Sequence, residues 1–130
     1  MSRTAGRTQA APPPAGPYSQ SVRIGTIVAA AGQAGLTPDG TLLDGVGPQT
    51  AQALANIGAA LEASGAALSD VVSVRVFLSD AAHFAEMNTA YAGAFTEPYP
   101  TRTTVYVGLP PGLLVEIDAL AVTGDSGDTA

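Results

Sequence analysis

Arg102 is the side chain of this sequence whose position most strongly suggests chemistry. It lies in Pro-Thr-Arg-Thr-Thr-Val-Tyr-Val, a segment with no other charged residue. The β-branched and aromatic residues predict a strand over residues 101–107. Alternation along that strand places Arg102, Thr104 and Tyr106 on one face. A charge among apolar strand residues is costly unless it is paired or binds a ligand.

Glu116 is the acidic counterpart of this arginine. It lies in the last predicted strand, residues 113–122, and alternation places it on the same face as Asp118. The sequence leaves two interpretations open. In one, Arg102 forms an ion pair with a carboxylate and so joins two strands. In the other, the guanidinium binds a small carboxylate as a two-pronged donor, and Glu116 is available for proton or water chemistry.

Four further features carry weaker signals. Asn88 falls on the apolar stripe of the second predicted helix, which is typical of a buried amide with hydrogen-bond partners. Tyr18 is predicted to pack at the entry to the first strand, and His83 is predicted to be a surface histidine. Residues 45–50, Gly-Val-Gly-Pro-Gln-Thr, lack the third glycine of a dinucleotide-binding loop. We therefore predict no dinucleotide site there.

The residue types that are missing exclude much catalytic chemistry. The chain has no Cys, and therefore no disulfide, thiolate nucleophile or Cys-ligated metal. All five basic residues are Arg, which excludes a lysine Schiff base and a P-loop lysine. The single histidine cannot supply the paired imidazoles of a common zinc site. No Gly-x-Ser-x-Gly motif is present to suggest a catalytic triad.

Charge and hydropathy limit the possible partners. A chain of 130 residues with 46% hydrophobic and 12% charged residues is typical of one folded domain. Its formal net charge of -6 disfavours binding to nucleic-acid phosphates or to an anionic membrane surface. No segment resembles a signal peptide, and no apolar run approaches the roughly 20 residues of a membrane span. We expect a soluble cytoplasmic protein.

The order of predicted elements is typical of a mixed α/β (α+β) domain over residues 15–122, between a loose N-terminal tail (1–14) and a loose C-terminal tail (123–130). Strands are predicted at Ser21–Ile24, 26–31, Val71–Leu78, 101–107 and 113–122. One helix begins at Gly47-Pro48 and ends near Ser64-Gly65, and a second follows Ser79-Asp80 with the stripe Phe84, Met87, Tyr91 and Phe95. Two helices cover only one face of a sheet, so the other, rich in Val, Ile and Ala, is expected to be buried by oligomerisation.

A set of short motifs occurs in order between residues 15 and 122. They are Gly-Pro-Tyr-Ser-Gln (16–20), Ala-Gly-Gln (31–33), Phe-Ala-Glu-Met-Asn (84–88), Pro-Thr-Arg (100–102), Leu-Pro (109–110) and Val-Glu-Ile (115–117). Together they resemble the RidA (YjgF) family of reactive-intermediate deaminases. The Pro-x-Arg … Leu-Pro … Val-Glu-Ile block is that family's signature.

The resemblance implies a fold and an activity. The fold is chorismate-mutase-like, with a mixed sheet, two helices on one face, and the last two strands flanking Val71–Leu78. Members form homotrimers around a central barrel, with ligand clefts between subunits. They hydrolyse enamines and imines made by PLP enzymes, such as 2-aminoacrylate and 2-iminopropanoate, to 2-oxo acids and ammonia. No cofactor is implied.

The resemblance also implies roles for single residues. Arg102 would bind the substrate carboxylate, and Glu116 would orient or activate the attacking water. The backbone at Thr104 would hold the water or the imine nitrogen, while Tyr18, Gly32 and Asn88 would line the cleft. The sequence departs from common family members in having Ala31 before that glycine, Thr104 in place of a cysteine, and a short stretch before Arg102. The hydroxyl missing at Ala31 and a cleft edge reshaped by the short stretch are expected to change the substrate preference. Thr104 is expected to matter less, because that residue would act through its carbonyl.

Three other functions remain open at this point. A trimer of the same fold could bind small carboxylates without turning them over. A role directed at nucleic acid is disfavoured by the net charge of -6 and by the lack of Lys. Chorismate-mutase activity would need more cations to hold a dicarboxylate.

Overall fold

The computed structural model describes residues 2–124 and contains six strands and two α-helices. The elements are β1 (Thr4–Gly6), β2 (Ser21–Ile24), β3 (Ile27–Ala34), α1 (Val46–Glu62), β4 (Val71–Leu78), α2 (Phe84–Ala92), β5 (Thr101–Tyr106) and β6 (Val115–Val122). They form one sheet of six strands in the order β1-β2-β3-β6-β4-β5. The β4–β5 pair is parallel and the other pairs are antiparallel.

The predicted fold class is confirmed. Strands β5 and β6 flank β4, as the family resemblance implied, and α1 packs on β3 and β6 with α2 beside it. The core between the helices and the sheet is built from alternate strand residues, because only every second side chain of a strand points to one face. Its largest members include Leu54, Ile57, Leu78, Met87 and Ile117, all buried.

The helices begin and end close to their predicted bounds. Apolar residues at helical spacing, Leu54, Ile57 and Leu61, give α1 the buried face that the sequence predicts. The carboxylate of Asp80 accepts a hydrogen bond from the backbone N–H of Ala82, so it caps a short 3-10 turn that precedes α2. Helix α2 ends at Ala92, earlier than the predicted apolar stripe.

The N-terminal segment is more ordered than the loose tail predicted for residues 1–14. Residues Thr4–Gly6 pair with β2 and extend the sheet. The buried amide of Gln20 donates to the backbone carbonyls of Thr8 and Pro12 and accepts from the N–H of Thr8. These contacts fix a segment whose composition does not favour a strand. Of the predicted C-terminal tail, only Thr123 and Gly124 lie within the described residues, and the Thr123 N–H bonds to Thr26.

Gln49 joins the loop before α1 to the loop between β5 and β6. Its buried amide donates to the carbonyls of Leu43 and Gly112 and accepts from the N–H of Leu114. The bonds to Gly112 and Leu114 tie α1 to the turn that leads into β6. Because β6 begins directly after Leu114, they also set the position of Glu116, two residues into that strand.

The face of the sheet opposite the helices carries apolar side chains that the chain leaves exposed. Ile27 is 50% exposed, and its neighbours on this face include Ile24, Leu120 and Val122. A contiguous apolar face of this kind is typical of a surface that another molecule covers. Within residues 2–124, no helix is both long and apolar enough to cross a membrane.

Candidate functional site

Arg102 lies beside an open cavity between α2 and the start of β5. The cavity has a volume of about 480 Å³ and is lined by Asn88, Tyr91, Ala92, Tyr99, Pro100 and Arg102. Within residues 2–124, the guanidinium forms no ion pair and no hydrogen bond. Its donors therefore remain available to a ligand in the cavity.

Two aromatic rings of α2 contact the guanidinium. Its central carbon lies 4.7 Å from the centre of the Tyr91 ring and 5.6 Å from that of Phe84. Both distances fall within the range of cation–π attraction. The sequence analysis placed both rings on an apolar stripe and missed this contact. Two features of the sequence could have indicated it: two aromatic residues seven positions apart on one helix, and an arginine with no other charged residue in its strand.

Thr104 follows Arg102 on the same face of β5, as alternation predicted. Its backbone pairs with Val76 of the neighbouring strand β4, and its side chain is half-buried. The Thr104 hydroxyl is buried with no hydrogen-bond partner in the described part of the chain. A buried hydroxyl without a partner is uncommon in folded proteins. Thr104 and Arg102, on the same face of β5, therefore both carry polar groups without a hydrogen-bond partner in the described part of the chain.

Glu116 and Gly32 form a second group on the opposite face of the sheet. A Cβ atom built on Gly32 would lie 2.5 Å from the Glu116 carboxylate oxygen Oε2, so the carboxylate rests directly over the glycine. Gly32 lies at an irregularity in the β3–β6 pairing between Ala30 and Gln33. Such a bulge redirects side chains locally. Glu116 itself is half-buried.

Arg102 and Glu116 do not meet within one chain. Val74 of β4 pairs with Arg102 on one side and with Ala119 on the other, and Val74 and Ala119 are buried under the helices. Phe77 of β4 pairs with Glu116, and it lies three residues beyond Val74. Residues an odd number apart along a strand point to opposite faces, so Val74 and Phe77 do. Their paired residues Arg102 and Glu116 therefore lie on opposite sides of the sheet.

The predicted alternative of an ion pair on Arg102 is therefore wrong for the described residues. A pair between strands does form, but it joins Arg75 of β4 to Asp118 of β6 at 2.6 Å on the uncovered face. Asp118 raises the pKa of Arg75 through this hydrogen bond and its charge. The remaining strand arginine, Arg23, donates to the carbonyls of Gly25 and Ser64 and so has a structural role.

Tyr18, predicted to be a packing residue, is 52% exposed. Its hydroxyl accepts a hydrogen bond from the N–H of Ala15, and its ring lines a cavity of about 340 Å³ formed by the N-terminal segment. The exposure arises because a tight turn, in which the N–H of Tyr18 bonds to the carbonyl of Gly16, lifts the ring from the sheet.

Asn88 and His83 also differ from their predictions. Asn88 is exposed and lines the Arg102 cavity instead of being a buried amide, because no element of the described chain covers that side of α2. His83 is half-buried, not a surface residue, because it closes the turn between Asp80 and α2. Its ring nitrogen Nδ1 has no partner in the described chain.

Comparison with known proteins places these groups in a family context. The family model described as Endoribonuclease L-PSP matches residues 8–123. A RutC family protein of Pyrococcus horikoshii is 45% identical over 117 residues, covering 88% of this chain and 93% of that protein. The 2-iminobutanoate/2-iminopropanoate deaminase of Salmonella typhimurium is 39% identical over 127 residues, covering 94% and 98% of the two chains.

Solved structures agree with the sequence relatives. The E. coli protein TdcF, solved with bound serine, superposes with a TM-score of 0.89 at 36% identity, covering 93% of this chain and 99% of that one. The motifs around Arg102 and Glu116 predicted this relationship, and the family model covers β2 to β6 and both helices. This chain belongs to the Ribonuc_L-PSP family, which includes the YjgF and RutC proteins.

Proposed function

We propose that this protein hydrolyses reactive imines of small amino acids, together with the enamines that tautomerise to them, to 2-oxo acids and ammonia. The observation that carries the proposal is Arg102, a cation without an ion pair in the described chain, held beside an open cavity. Relatives about 40% identical, from Salmonella typhimurium and Bos taurus, are named 2-iminobutanoate/2-iminopropanoate deaminase. Their names support the assignment of substrate class.

The chemistry requires little beyond positioning. Arg102 would bind the carboxylate of the substrate through two parallel N–H···O bonds. The oxygen of a water molecule then adds to the imine carbon while the Glu116 carboxylate accepts a proton from that water. Return of that proton to nitrogen makes ammonia the leaving group. As the C–N bond breaks, the Glu116 carboxylate accepts the hydroxyl proton and the C=O bond forms, which leaves the 2-oxo acid and ammonia. A protonated imine is already electrophilic, so holding the reactants together supplies much of the rate.

The site is proposed to form between two subunits. Since Arg102 and Glu116 lie on opposite faces of one sheet, one ligand can touch both only if two chains contribute. The exposed apolar face that includes Leu120 and Val122 gives a second chain a surface to bury. A homotrimer, as the family resemblance implies, would pair the Arg102 group of each chain with the Glu116 group of the next.

The remaining site residues divide between these two groups. Asn88 and Thr104 accompany Arg102: Asn88 lines its cavity, and Thr104 would act through its backbone. Gly32 accompanies Glu116, and its missing side chain leaves room for the carboxylate. Tyr18 is exposed on the N-terminal segment, where it would close the cleft from the partner's side.

A substitution at Gly32 tests the close approach of the carboxylate. In Gly32→Ala the added methyl group would displace the flexible end of Glu116, because the Cβ position lies 2.5 Å from Oε2. The backbone there does not need a positive φ, so we expect little loss of stability. We expect kcat to fall about tenfold, on the order of 1.4 kcal/mol in the barrier.

The control for this substitution is Gly108→Ala, since a Cβ at Gly108 meets no atom within 4 Å. Steady-state kinetics and thermal unfolding of both variants check the expectation. Equal kcat for Gly32→Ala and Gly108→Ala would show that the position of the Glu116 carboxylate does not limit the reaction.

A trapping assay tests the activity itself. An amino-acid oxidase generates imino acids in the presence of semicarbazide, and the yield of semicarbazone is followed with and without this protein. We expect the protein to lower the yield in proportion to its concentration, with 2-iminopropanoate and 2-iminobutanoate among the substrates. An unchanged yield across the whole panel, with folded protein, would contradict the deaminase proposal.

The second candidate is a trimer that binds small carboxylates without hydrolysing them. The Arg102 cavity favours it, because that half of the site could bind a carboxylate without Glu116. Binding of an imino or amino acid without any turnover would identify this function. The family description as endoribonuclease raises a third possibility, which the net charge of -6 disfavours.

A further inference from the structure

The rings of Phe84 and Tyr91 both lie on the side of α2 that faces the Arg102 guanidinium. They are seven residues apart, two turns of helix, so both point toward β5. We call these two rings the aromatic clamp. The central carbon of Arg102 lies 4.7 Å from one ring centre and 5.6 Å from the other.

No carboxylate of the described chain forms an ion pair with Arg102. Glu116 and Asp118 lie on the opposite face of the sheet, and Asp118 is paired with Arg75. Glu86, on α2 itself, accepts a hydrogen bond from the N–H of Gly47 at the start of α1. An arginine side chain has many rotamers, so without the clamp its guanidinium would sample several directions.

The ring of Tyr91, and not its hydroxyl, makes the contact with Arg102. Tyr91 is buried, and its hydroxyl has no hydrogen-bond partner within residues 2–124. Burial raises the pKa of Tyr91, while the charge of Arg102 acts in the opposite direction. The phenol therefore stays neutral at neutral pH and leaves the charge of Arg102 available to a ligand.

We propose that Phe84 and Tyr91 are positioning residues that hold the Arg102 guanidinium in the orientation that binds the carboxylate of a small substrate. The proposal rests on the proposed function and adds two residues to its site. Fixing the cation before the ligand arrives lowers the entropy lost on binding. The clamp therefore acts on KM and on the affinity for carboxylates, and not on the hydrolytic step.

The test is a set of matched substitutions. Tyr91→Leu removes a ring of the clamp, Tyr91→Phe keeps the ring and removes the hydroxyl, and Phe84→Leu removes the outer ring, which is 36% exposed. The control is Phe95→Leu, because the Phe95 ring lies 4.9 Å from that of Tyr91 and makes no cation–π contact with Arg102. Thermal unfolding identifies any variant that fails to fold. If Tyr91→Leu does not fold, Phe84→Leu still tests the proposal.

We expect Tyr91→Leu and Phe84→Leu to raise KM about tenfold, with kcat within about twofold of the wild type. Tyr91→Phe should retain the KM of the wild type, and so should Phe95→Leu even if its melting temperature falls. A KM for Tyr91→Phe as high as that of Tyr91→Leu would assign the effect to the hydroxyl and overturn the proposal. So would an equal rise in KM for Phe95→Leu.

Binding of 2-oxobutanoate separates this proposal from the proposed activity. Its dissociation constant, measured by calorimetry, requires Arg102 but no turnover. A rise of about tenfold in Tyr91→Leu and Phe84→Leu supports the clamp even if the wild-type protein hydrolyses no imine. Unchanged affinity in both variants overturns the clamp even if the wild-type protein is an active deaminase.

Discussion

Arg102→Ala is expected to abolish imine hydrolysis while leaving the fold unchanged. The substitution removes the two charge-assisted hydrogen bonds proposed to hold the substrate carboxylate, each worth about 1.5–3 kcal/mol. We expect kcat/KM to fall at least about 100-fold. Since the guanidinium makes no ion pair in the described chain, its loss should cost little stability. The trapping assay and thermal unfolding measure the two effects.

Two further variants make this result specific. Arg102→Lys keeps the charge but loses the planar fork, so it should recover only a small part of the activity. Arg3→Ala, which removes an exposed arginine before β1, should leave the kinetics unchanged. If Arg102→Ala retained wild-type kcat/KM, the carboxylate would have to be bound elsewhere, and the assignment of the site would be wrong.

Glu116→Gln is expected to lower kcat about 100-fold, within the range usual for removing an acid–base group, with KM changed less than about threefold. The glutamine has nearly the same size and can still accept a hydrogen bond, but it cannot take a proton from the attacking water. Because Glu116 lies beside Gly32 and away from Arg102 in the chain, binding of the carboxylate should persist. Single-turnover kinetics with a generated imino acid measure the chemical step directly.

The matched control is Glu62→Gln, an exposed carboxylate at the end of α1. It changes the net charge by the same amount without touching either group of the site. A kcat of Glu116→Gln equal to that of Glu62→Gln would mean that the water is activated by another group, and the mechanism proposed for Glu116 would fail.

Local patterns in the sequence predicted most of the helices and strands. The alternation around Arg102 correctly placed Thr104 on its face, and the helical spacing around Ile57 correctly gave α1 its buried side. These predictions succeeded because they depend on neighbours along the chain. The motif resemblance correctly placed the last two strands on either side of β4, which alternation alone could not do.

The relation between Arg102 and Glu116 could not be predicted from these patterns. Alternation assigns faces within one strand, but the face that meets the helices depends on the register between strands. That register is set by pairs such as Val74 with Ala119 and Phe77 with Glu116, which are distant in sequence. The opposite placement of the two charges is therefore a tertiary property.

Errors of the sequence analysis also trace to tertiary contacts. The strand at Thr4–Gly6 exists because β2 offers an edge and Gln20 holds the following residues, not because its own residues favour a strand. Asn88 is exposed because no element of the described chain covers its side of α2. A helical stripe predicts burial only where another element packs against the whole stripe.

Mixed trimers test most directly the central claim, that the site joins Arg102 of one chain to Glu116 of another. Arg102→Ala and Glu116→Gln chains are co-expressed with different tags, and trimers that contain both are isolated by two successive affinity steps. In such a trimer one site of the three would combine an intact Arg102 with an intact Glu116. We expect about one third of wild-type activity, although each parent variant is expected to keep only about 1% of it or less. Mixed trimers no more active than their parents would contradict a site shared between chains.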